Sequence, residues 1–309
     1  MGQATVIKHT GSHYLLSNLP EWKPFTAVIR GKLRLTDFNS TNPVAVGDRV
    51  EYTIDNAGTA VITAVLPRKN CIIRKSANLS RQSHIIAANL DMAFLVVTIN
   101  HPQVQLPFVD RFLVTCEAYN VPVTLVLNKM DIYTADELEM VSAFERIYMA
   151  AGYSVIKLSA RSRENMEELK ELCSSGVVIF SGQSGVGKSS IIEALDGNGS
   201  LKLKIGEISS AHNQGKHTTT FYEMHPLESG CFMIDSPGIR GFGLVNFNKE
   251  ELSNYFPEML RVEANCKFNP CTHTHEPGCA VKEAVEAGEI PVERYESYIG
   301  MLEEEGKYR

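Results

Sequence analysis

Residues 182–189 read Gly-Gln-Ser-Gly-Val-Gly-Lys-Ser, a match to G-x-x-x-x-G-K-[ST] that follows an apolar run, Val177 to Phe180, and precedes a helix-like run, Ser190 to Leu195. No other feature constrains the fold as strongly. A glycine-rich turn between strand and helix lets backbone N–H groups close around phosphate oxygens at a helix N-terminus. Lys188 would then reach the β- and γ-phosphates and Ser189 would ligate Mg²⁺. The residues expected to hold a nucleotide here are Gly182, Gln183, Ser184, Gly185, Val186, Gly187, Lys188, Ser189 and Ser190. Around them, strand-length runs at Ala93 to Ile99, Val123 to Leu127, Val155 to Leu158, Val177 to Phe180 and Cys231 to Ile234 alternate with helix-length segments. That alternation predicts βαβ units on a mainly parallel sheet.

A phosphate loop alone leaves ATPase, kinase and GTPase open. Asn128-Lys129-Met130-Asp131, directly after Val123 to Leu127, decides among them. A carboxylate at Asp131 accepts hydrogen bonds from both guanine N1–H and the exocyclic amine, a donor pair that adenine lacks. Asn128 would support the loop and guanine N7, and the Lys129 stem would cover the ring. Ser159-Ala160, after Val155 to Leu158, would back the guanine with a main-chain N–H. Asp235, in Ile234-Asp235-Ser236-Pro237-Gly238, is placed to hold Mg²⁺ through water, with the Gly238 amide near the γ-phosphate.

The order of these pieces is informative. In Ras-like GTPases the phosphate loop comes first and N-K-x-D late, whereas here the base-reading residues precede residue 182. The same sheet reconnected this way is a circular permutation. Its mechanical consequence is that the segment after Asp235, which senses the γ-phosphate, runs directly into the C-terminal region, so nucleotide state has a short covalent route to it.

Hydrolysis chemistry is less complete. Where Ras-type enzymes place a water-orienting Gln after the switch Gly, Ile239 stands here, so intrinsic turnover is expected to be slow. Between the phosphate loop and Asp235 lies Gly215-Lys216-His217-Thr218-Thr219-Thr220. Thr219 is the expected second Mg²⁺ ligand, with Thr218 and Thr220 as rivals. His217 is the local candidate to orient water, a solvated loop histidine being the plain alternative. Lys188, Thr219 and His217 thus form the expected catalytic set.

Cys266, Cys271 and Cys279 cluster among seven cysteines in a chain with no export signal, which points to metal before disulfides. With His273 they offer three thiolates and one imidazole, enough to close a tetrahedral Zn²⁺ site with no position left for water. A structural zinc in a small domain is expected, and a zinc hydrolase is disfavoured. His275 is the rival to His273. Helical spacing of Val292, Tyr295, Ile299 and Leu302 predicts a packing face within Pro291 to Glu305.

Before about residue 68 the chain shows short strand-like runs: Ala27 to Arg30, Gly31 to Arg34, Asp48 to Tyr52 and Gly58 to Ile62, separated by turn residues. A five-stranded OB-like barrel is expected, although an SH3-like barrel fits the same pattern. The net charge of −6 over 309 residues argues against a nucleic-acid partner only until it is divided. Residues 1–90 hold 11 Lys+Arg against 5 Asp+Glu, and 91–309 hold 19 against 31. Lys69, Arg74, Lys75 and Arg81 lie in an acid-free stretch, 69–90. A basic N-terminal end suits salt-dependent docking on RNA phosphates. The longest apolar stretch, Met92 to Ile99, is far short of the roughly 20 residues a bilayer needs, and the N-terminus lacks a secretory pattern, so a cytoplasmic protein is expected.

These motifs together closely resemble the ribosome small-subunit-dependent GTPase A family, over essentially the whole chain. They are Val46-Gly47-Asp48-Arg49-Val50 in the barrel, Asn128 to Asp131, Gly182 to Ser189, Gly215 to Thr220, Asp235 to Gly238 and the zinc ligands. Lys216 where Arg is common is a mild departure. The resemblance implies three domains: an all-β OB-fold RNA-binding domain (1–68), a permuted α/β P-loop GTPase domain (91–243) reached through a basic linker (69–90), and a mostly α zinc-binding domain (244–309). It implies GTP hydrolysis stimulated by the small ribosomal subunit, a role late in that subunit's maturation, GTP/GDP and rRNA as partners, and His217 as the candidate that positions water. A monomer without membrane association is the plain expectation. A GTP-dependent RNA-binding switch with little turnover, or another P-loop hydrolase or kinase, are the alternatives.

Overall fold

The computed structural model describes residues 1–10, 13–30, 44–75, 83–196, 222–235 and 249–304. The expected strand at Gly31 to Arg34, the loop holding His217 and the three threonines, and Ser236 to Ile239 lie outside the described residues.

The apolar runs of the central region form a sheet whose strands alternate faces. Strands β8 (Met92–Val97), β9 (Val123–Leu127), β10 (Ser154–Lys157), β11 (Val177–Ser181) and β13 (Phe232–Asp235) lie in the order β10-β9-β8-β11-β13, all parallel, with β12 (Glu223–Pro226) antiparallel on β13. In β8, Leu95 and Val97 point to one core with Phe112 and Leu113 of α1 (Leu106–Ala118) and Phe144 and Tyr148 of α2 (Ala135–Ala151). Phe94 and Val96 point to the other, with Leu169 of α3 (Met166–Leu172) and Ile191 of α4 (Lys188–Leu195). A strand buried on both faces reads as continuous hydrophobicity, which is why these runs were legible. In chain order β8, β9 and β10 precede the phosphate-loop strand β11, so the sheet is that of a permuted GTPase.

Strands β1 (Gly2–His9), β2 (His13–Ser17), β3 (Phe25–Ile29), β4 (Arg49–Ile54) and β5 (Ala60–Val65) close into a barrel in the order β1-β2-β3-β5-β4, with β4 returning to β1. The β3–β5 pair is parallel and the others antiparallel, an OB-like arrangement. Barrel and central sheet are joined through β1, which pairs with β12 at Lys8 and Glu223, where an ion pair of 2.6 Å adds to the contact. A bulge between Val6 and Lys8 lets consecutive residues serve two cores: Val6 fills the barrel and Ile7 enters the sheet's core. The single Trp22 stacks on Phe232 of β13 at 5.7 Å.

One reading needs correction. The basic stretch 69–90 is not a bare linker: β6 (Cys71–Lys75) and β7 (Ser83–Ala88) form an antiparallel hairpin, because Ile73 and Ile85 bury against Ala45 while Ile72 and Ile86 enter the main core. Beyond 249 the chain forms 3₁₀ turns and α5 (Pro257–Leu260), α6 (Ala280–Glu286) and α7 (Val292–Glu304). The packing face of α7 includes Tyr295, Ile299 and Leu302 of the expected stripe, partly buried against the C-terminal core, together with buried Arg294, Ser297, Tyr298 and Met301, while Val292 is exposed. The face widens to Arg294, which is fully buried and bonded to Asp110 of α1 and Glu258 of α5 at 2.6 Å each.

Candidate nucleotide site and metal cluster

All five parallel strands end on the same side, so their C-terminal loops converge, the usual ligand crevice of an open α/β sheet. The loop after β11 carries the phosphate-loop glycines. Gly187 adopts φ +97°, and a Cβ there would stand 2.3 Å from the Asn128 amide nitrogen, so only glycine lets the two segments meet. Gly182, at φ +142°, would drive a Cβ to 2.2 Å from the Val96 carbonyl oxygen. Lys188, first residue of α4, donates from Nζ to the Gly182 and Gln183 carbonyls at 2.7 and 2.8 Å, so its ammonium lies within the loop. Ser184, Gly185, Ser189 and Ser190 are exposed at the mouth, and Val186 is buried beneath it.

Asn128 holds the constellation together. It is buried at the end of β9, donates from Nδ2 to the Val186 carbonyl at 2.9 Å and accepts at Oδ1 from the Ala160 N–H at 3.0 Å. One side chain thereby ties the phosphate loop, the N-K-x-D segment and the Ser159-Ala160 loop. Lys129 sits in the left-handed region at φ +70° and donates from Nζ to the carbonyls of Gly185 at 2.7 Å and His101 at 2.6 Å. Its stem is thus held taut between two loops. Asp131 accepts at Oδ1 from the Ser159 hydroxyl at 2.5 Å, which fixes the carboxylate's orientation. Met130 contributes its main chain, donating to the Leu158 carbonyl at 3.2 Å.

One expectation changes. The main-chain N–H groups of Ser159 and Ala160, expected to back the base, donate to the Glu164 carbonyl and to Asn128 Oδ1. The pair therefore shapes the pocket through Asn128 and Asp131. Sequence reasoning also missed the β8–α1 loop, whose His101 carbonyl receives Lys129, because a backbone acceptor leaves no residue signature.

For magnesium, Ser189 is exposed on the first turn of α4, and β13, ending at Asp235, is the immediate parallel neighbour of β11. Ser189 thus opens the helix that follows β11, and Asp235 closes the strand beside β11. Thr219, His217 and Gly238 lie outside the described residues.

The cysteine cluster forms as expected. Ligand atoms of Cys266, Cys271, His273 and Cys279 all lie within 4.8 Å of one another. His273 Nδ1 stands 3.6 Å from Cys266 Sγ and 3.4 Å from Cys279 Sγ. Ligands about 2.0 Å (N) and 2.3 Å (S) from a tetrahedral Zn²⁺ would be about 3.6 Å apart, so the residues fit that ion. His273 is buried within the cluster, while His275 is exposed, outside it, and bonded to Thr274 Oγ1 at 2.9 Å. Burial, with the neighbouring Cys279 and Cys266 sulfurs, pushes the Cys271 thiol up to about 12. A bound cation would be needed to hold Cys271 as a thiolate at neutral pH. Tyr295 and Tyr298 of α7 donate to the carbonyls of His273 and Thr272 at 2.6 and 2.8 Å, buttressing the ligand loop.

Comparison with known proteins agrees with this geometry. The RsgA GTPase family model matches residues 65–245. The chain is 50% identical over 307 residues to the small ribosomal subunit biogenesis GTPase RsgA 2 of Bacteroides thetaiotaomicron, covering 98% of each chain. Among solved structures it is similar to YjeQ from Thermotoga maritima, with a TM-score of 0.78, 34% identity and coverage of 98% and 97%. It is also similar to YloQ, described as a circularly permuted GTPase, with a TM-score of 0.74, 27% identity and coverage of 100% and 96%. A phosphate loop bound to the N-K-x-D segment through Asn128, in permuted order, and relatives that match over almost the full length leave one conclusion: the chain belongs to the RsgA GTPase family.

Proposed function

We propose that this chain binds the small ribosomal subunit late in its maturation and hydrolyses GTP there, with the subunit stimulating turnover. The observation that carries the nucleotide half is the Asn128 bridge, which builds one pocket from the phosphate loop and the base-reading loops. The partner follows from the small-subunit role in the name of the relative that shares half of its residues.

In this reading Asp131 reads guanine N1–H and the exocyclic amine, Lys129 covers the ring, and the phosphate-loop amides with Lys188 neutralise the β- and γ-phosphates. Water attacks the γ-phosphorus in line and GDP leaves with its bridging oxygen. His217 orients that water in place of the glutamine that Ile239 replaces. Ser189, Thr219 and Asp235 hold Mg²⁺, which when bound offsets phosphate charge. Cys266, Cys271, His273 and Cys279 hold one structural Zn²⁺. The chain works in the cytoplasm as a monomer. Among the described residues no helix is long and apolar enough to cross a membrane.

The basic N-terminal end supports RNA docking, at reduced strength. Lys8 and Lys69 pair with Glu223 and Asp91, acids from beyond residue 90, which lowers the surplus of +6 by two. Arg68 is committed to buried Asp48. The remaining cations give an affinity that falls as salt rises. The domain division at 68, 90 and 243 belongs to this reading, with the 69–90 hairpin counted as part of the docking end.

The test is the GTPase rate as small subunits are titrated in, at two salt concentrations. Stimulation that saturates, and shifts to higher subunit concentration at higher salt, is expected. A flat response refutes the ribosomal assignment and leaves a nucleotide-dependent switch of low turnover.

A further inference from the structure

The β8–β9 ladder ends at Val97 and Leu127, closed by the Asn128 N–H donating to the Val97 carbonyl at 3.0 Å. Beyond it β8 turns away, with Thr98 Oγ1 donating to the Pro102 carbonyl at 2.7 Å. The Ile99 N–H and the Asn128 carbonyl, one rung further on, therefore have no ladder partner in each other. The Tyr133 hydroxyl fills the gap: it accepts from Ile99 N–H at 2.9 Å and donates to the Asn128 carbonyl at 2.8 Å. The half-buried ring packs against the main core and stacks on His101 with centroids 6.3 Å apart and planes at 20°. His101 is the residue whose carbonyl receives Lys129, and its Nε2 lies 3.2 Å from Glu137.

From this placement we infer that Tyr133 is a positioning residue for guanine recognition, its hydroxyl acting as an added rung that fixes the Asn128–Asp131 segment. The inference rests on the guanine-site reading above. Three features make the hydroxyl, beyond the ring, decisive. The Asn128 carbonyl belongs to the peptide that leads into Lys129, a non-glycine residue in the left-handed region, a conformation that persists only where its surroundings over-determine it. Both groups that the hydroxyl joins are main-chain, a donor and an acceptor whose loss of a partner away from water is costly. Asp131 follows within the same 3₁₀ turn, so a rotated Asn128 peptide swings the carboxylate relative to the base. Phenylalanine would keep the packing and the stack and lose only the rung.

Tyr133→Phe in the full chain, beside wild type and Asp131→Asn, tests this by competition binding of GDP, of IDP, which lacks the exocyclic amine, and of inorganic tripolyphosphate. For Tyr133→Phe, GDP should weaken about tenfold, the effect of roughly 1.4 kcal/mol. IDP should weaken less, so the GDP-over-IDP preference shrinks, and tripolyphosphate should bind as before. In turnover, KM for GTP should rise with kcat retained at saturation, the pattern of lost uniform binding. Unchanged GDP affinity, or an equal loss for all three ligands, overturns the role of Tyr133. If Asp131→Asn also leaves the GDP-over-IDP preference intact, the guanine-site reading itself has failed. If it abolishes the preference and Tyr133→Phe does not, only the positioning role is refuted.

Discussion

Removing the Arg294 guanidinium should destabilise the junction between α1 and the zinc-bearing region more than any other single side-chain change there. Arg294, Asp110 and Glu258 are all buried, with Nη1 to Asp110 Oδ1 and Nε to Glu258 Oε1 both at 2.6 Å. The guanidinium also lies 4.7 Å from the Phe256 ring centroid. Arg294→Met would keep the apolar stem and leave two carboxylates in the interior, with Tyr148, at 2.9 Å, and Ser297 still bonded to Asp110. Breaking a buried pair from one side costs about 3–5 kcal/mol, because a charge is stranded. Replacing all three groups with neutral ones, in Arg294→Met with Asp110→Asn and Glu258→Gln, should recover roughly half of that loss or more. The pH dependence follows from Asp110. Burial raises its carboxyl above the ordinary range, with Arg294 opposing the rise. A carboxyl whose folded pKa is raised favours the folded state below its unfolded value of about 3.9, and that contribution is lost as pH rises through the folded value. Without the opposing guanidinium the rise is larger, so the deficit of Arg294→Met should be greater at about pH 8 than at about pH 5. Urea unfolding by far-UV circular dichroism, with hydrogen exchange across residues 257–304, measures both. A loss under about 1 kcal/mol, or one that does not change with pH, would refute the stranded-charge account.

Asp131→Asn should weaken GTP by about 10²-fold and improve binding of xanthine nucleotides, whose 2-oxo group accepts from an amide; competition with both nucleotides reads this out, and retained guanine preference contradicts the assignment. Cys279→Ser, or a strong chelator, should abolish binding of one Zn²⁺ per chain by elemental analysis and remove exchange protection around 263–281. Acid should release the metal too, since the ligands must be deprotonated, and a chain lacking zinc yet fully protected would argue against a structural ion. Cleavage of residues 236–309 by a limiting protease should differ between GDP and a non-hydrolysable GTP analogue; identical patterns end the idea that nucleotide state reaches the C-terminal region.

Where chemistry dictates residue type at fixed spacing, the site was legible in the sequence: the phosphate loop, N-K-x-D and the Cys-Cys-His-Cys set each specify their own local geometry. The parallel strands were legible as well, being apolar on both faces. What the sequence hid depends on partners distant along the chain. Strand β12, Glu-Met-His-Pro, shows neither alternation nor length, and becomes a strand because β13 and β1 flank it. Arg294 looks like a solvent-facing position until Asp110 is brought beside it, 184 residues earlier. Likewise Tyr133 reads as a helix-flanking aromatic, and only the divergence of β8 from β9 gives its hydroxyl two partners.

The same distinction explains what permutation changes. In chain order the two segments proposed to sense the γ-phosphate, Gly215–Thr220 and the one after Asp235, precede and follow the hairpin of β12 and β13. That hairpin is gripped from outside: β1 of the barrel pairs with β12, Lys8 binds Glu223, and Trp22 stacks on Phe232. Downstream, the second segment leads straight to the region that Arg294 fastens on α1, and α1 begins at the loop whose His101 carbonyl holds Lys129. Both appended units are thus anchored to elements that border the nucleotide site, one through a strand and one through a helix. A ligand can shift such an assembly only by its differential affinity for two arrangements, so in the proposed reading any effect of bound nucleotide on the barrel or on the C-terminal region has to act through these strand and helix joints.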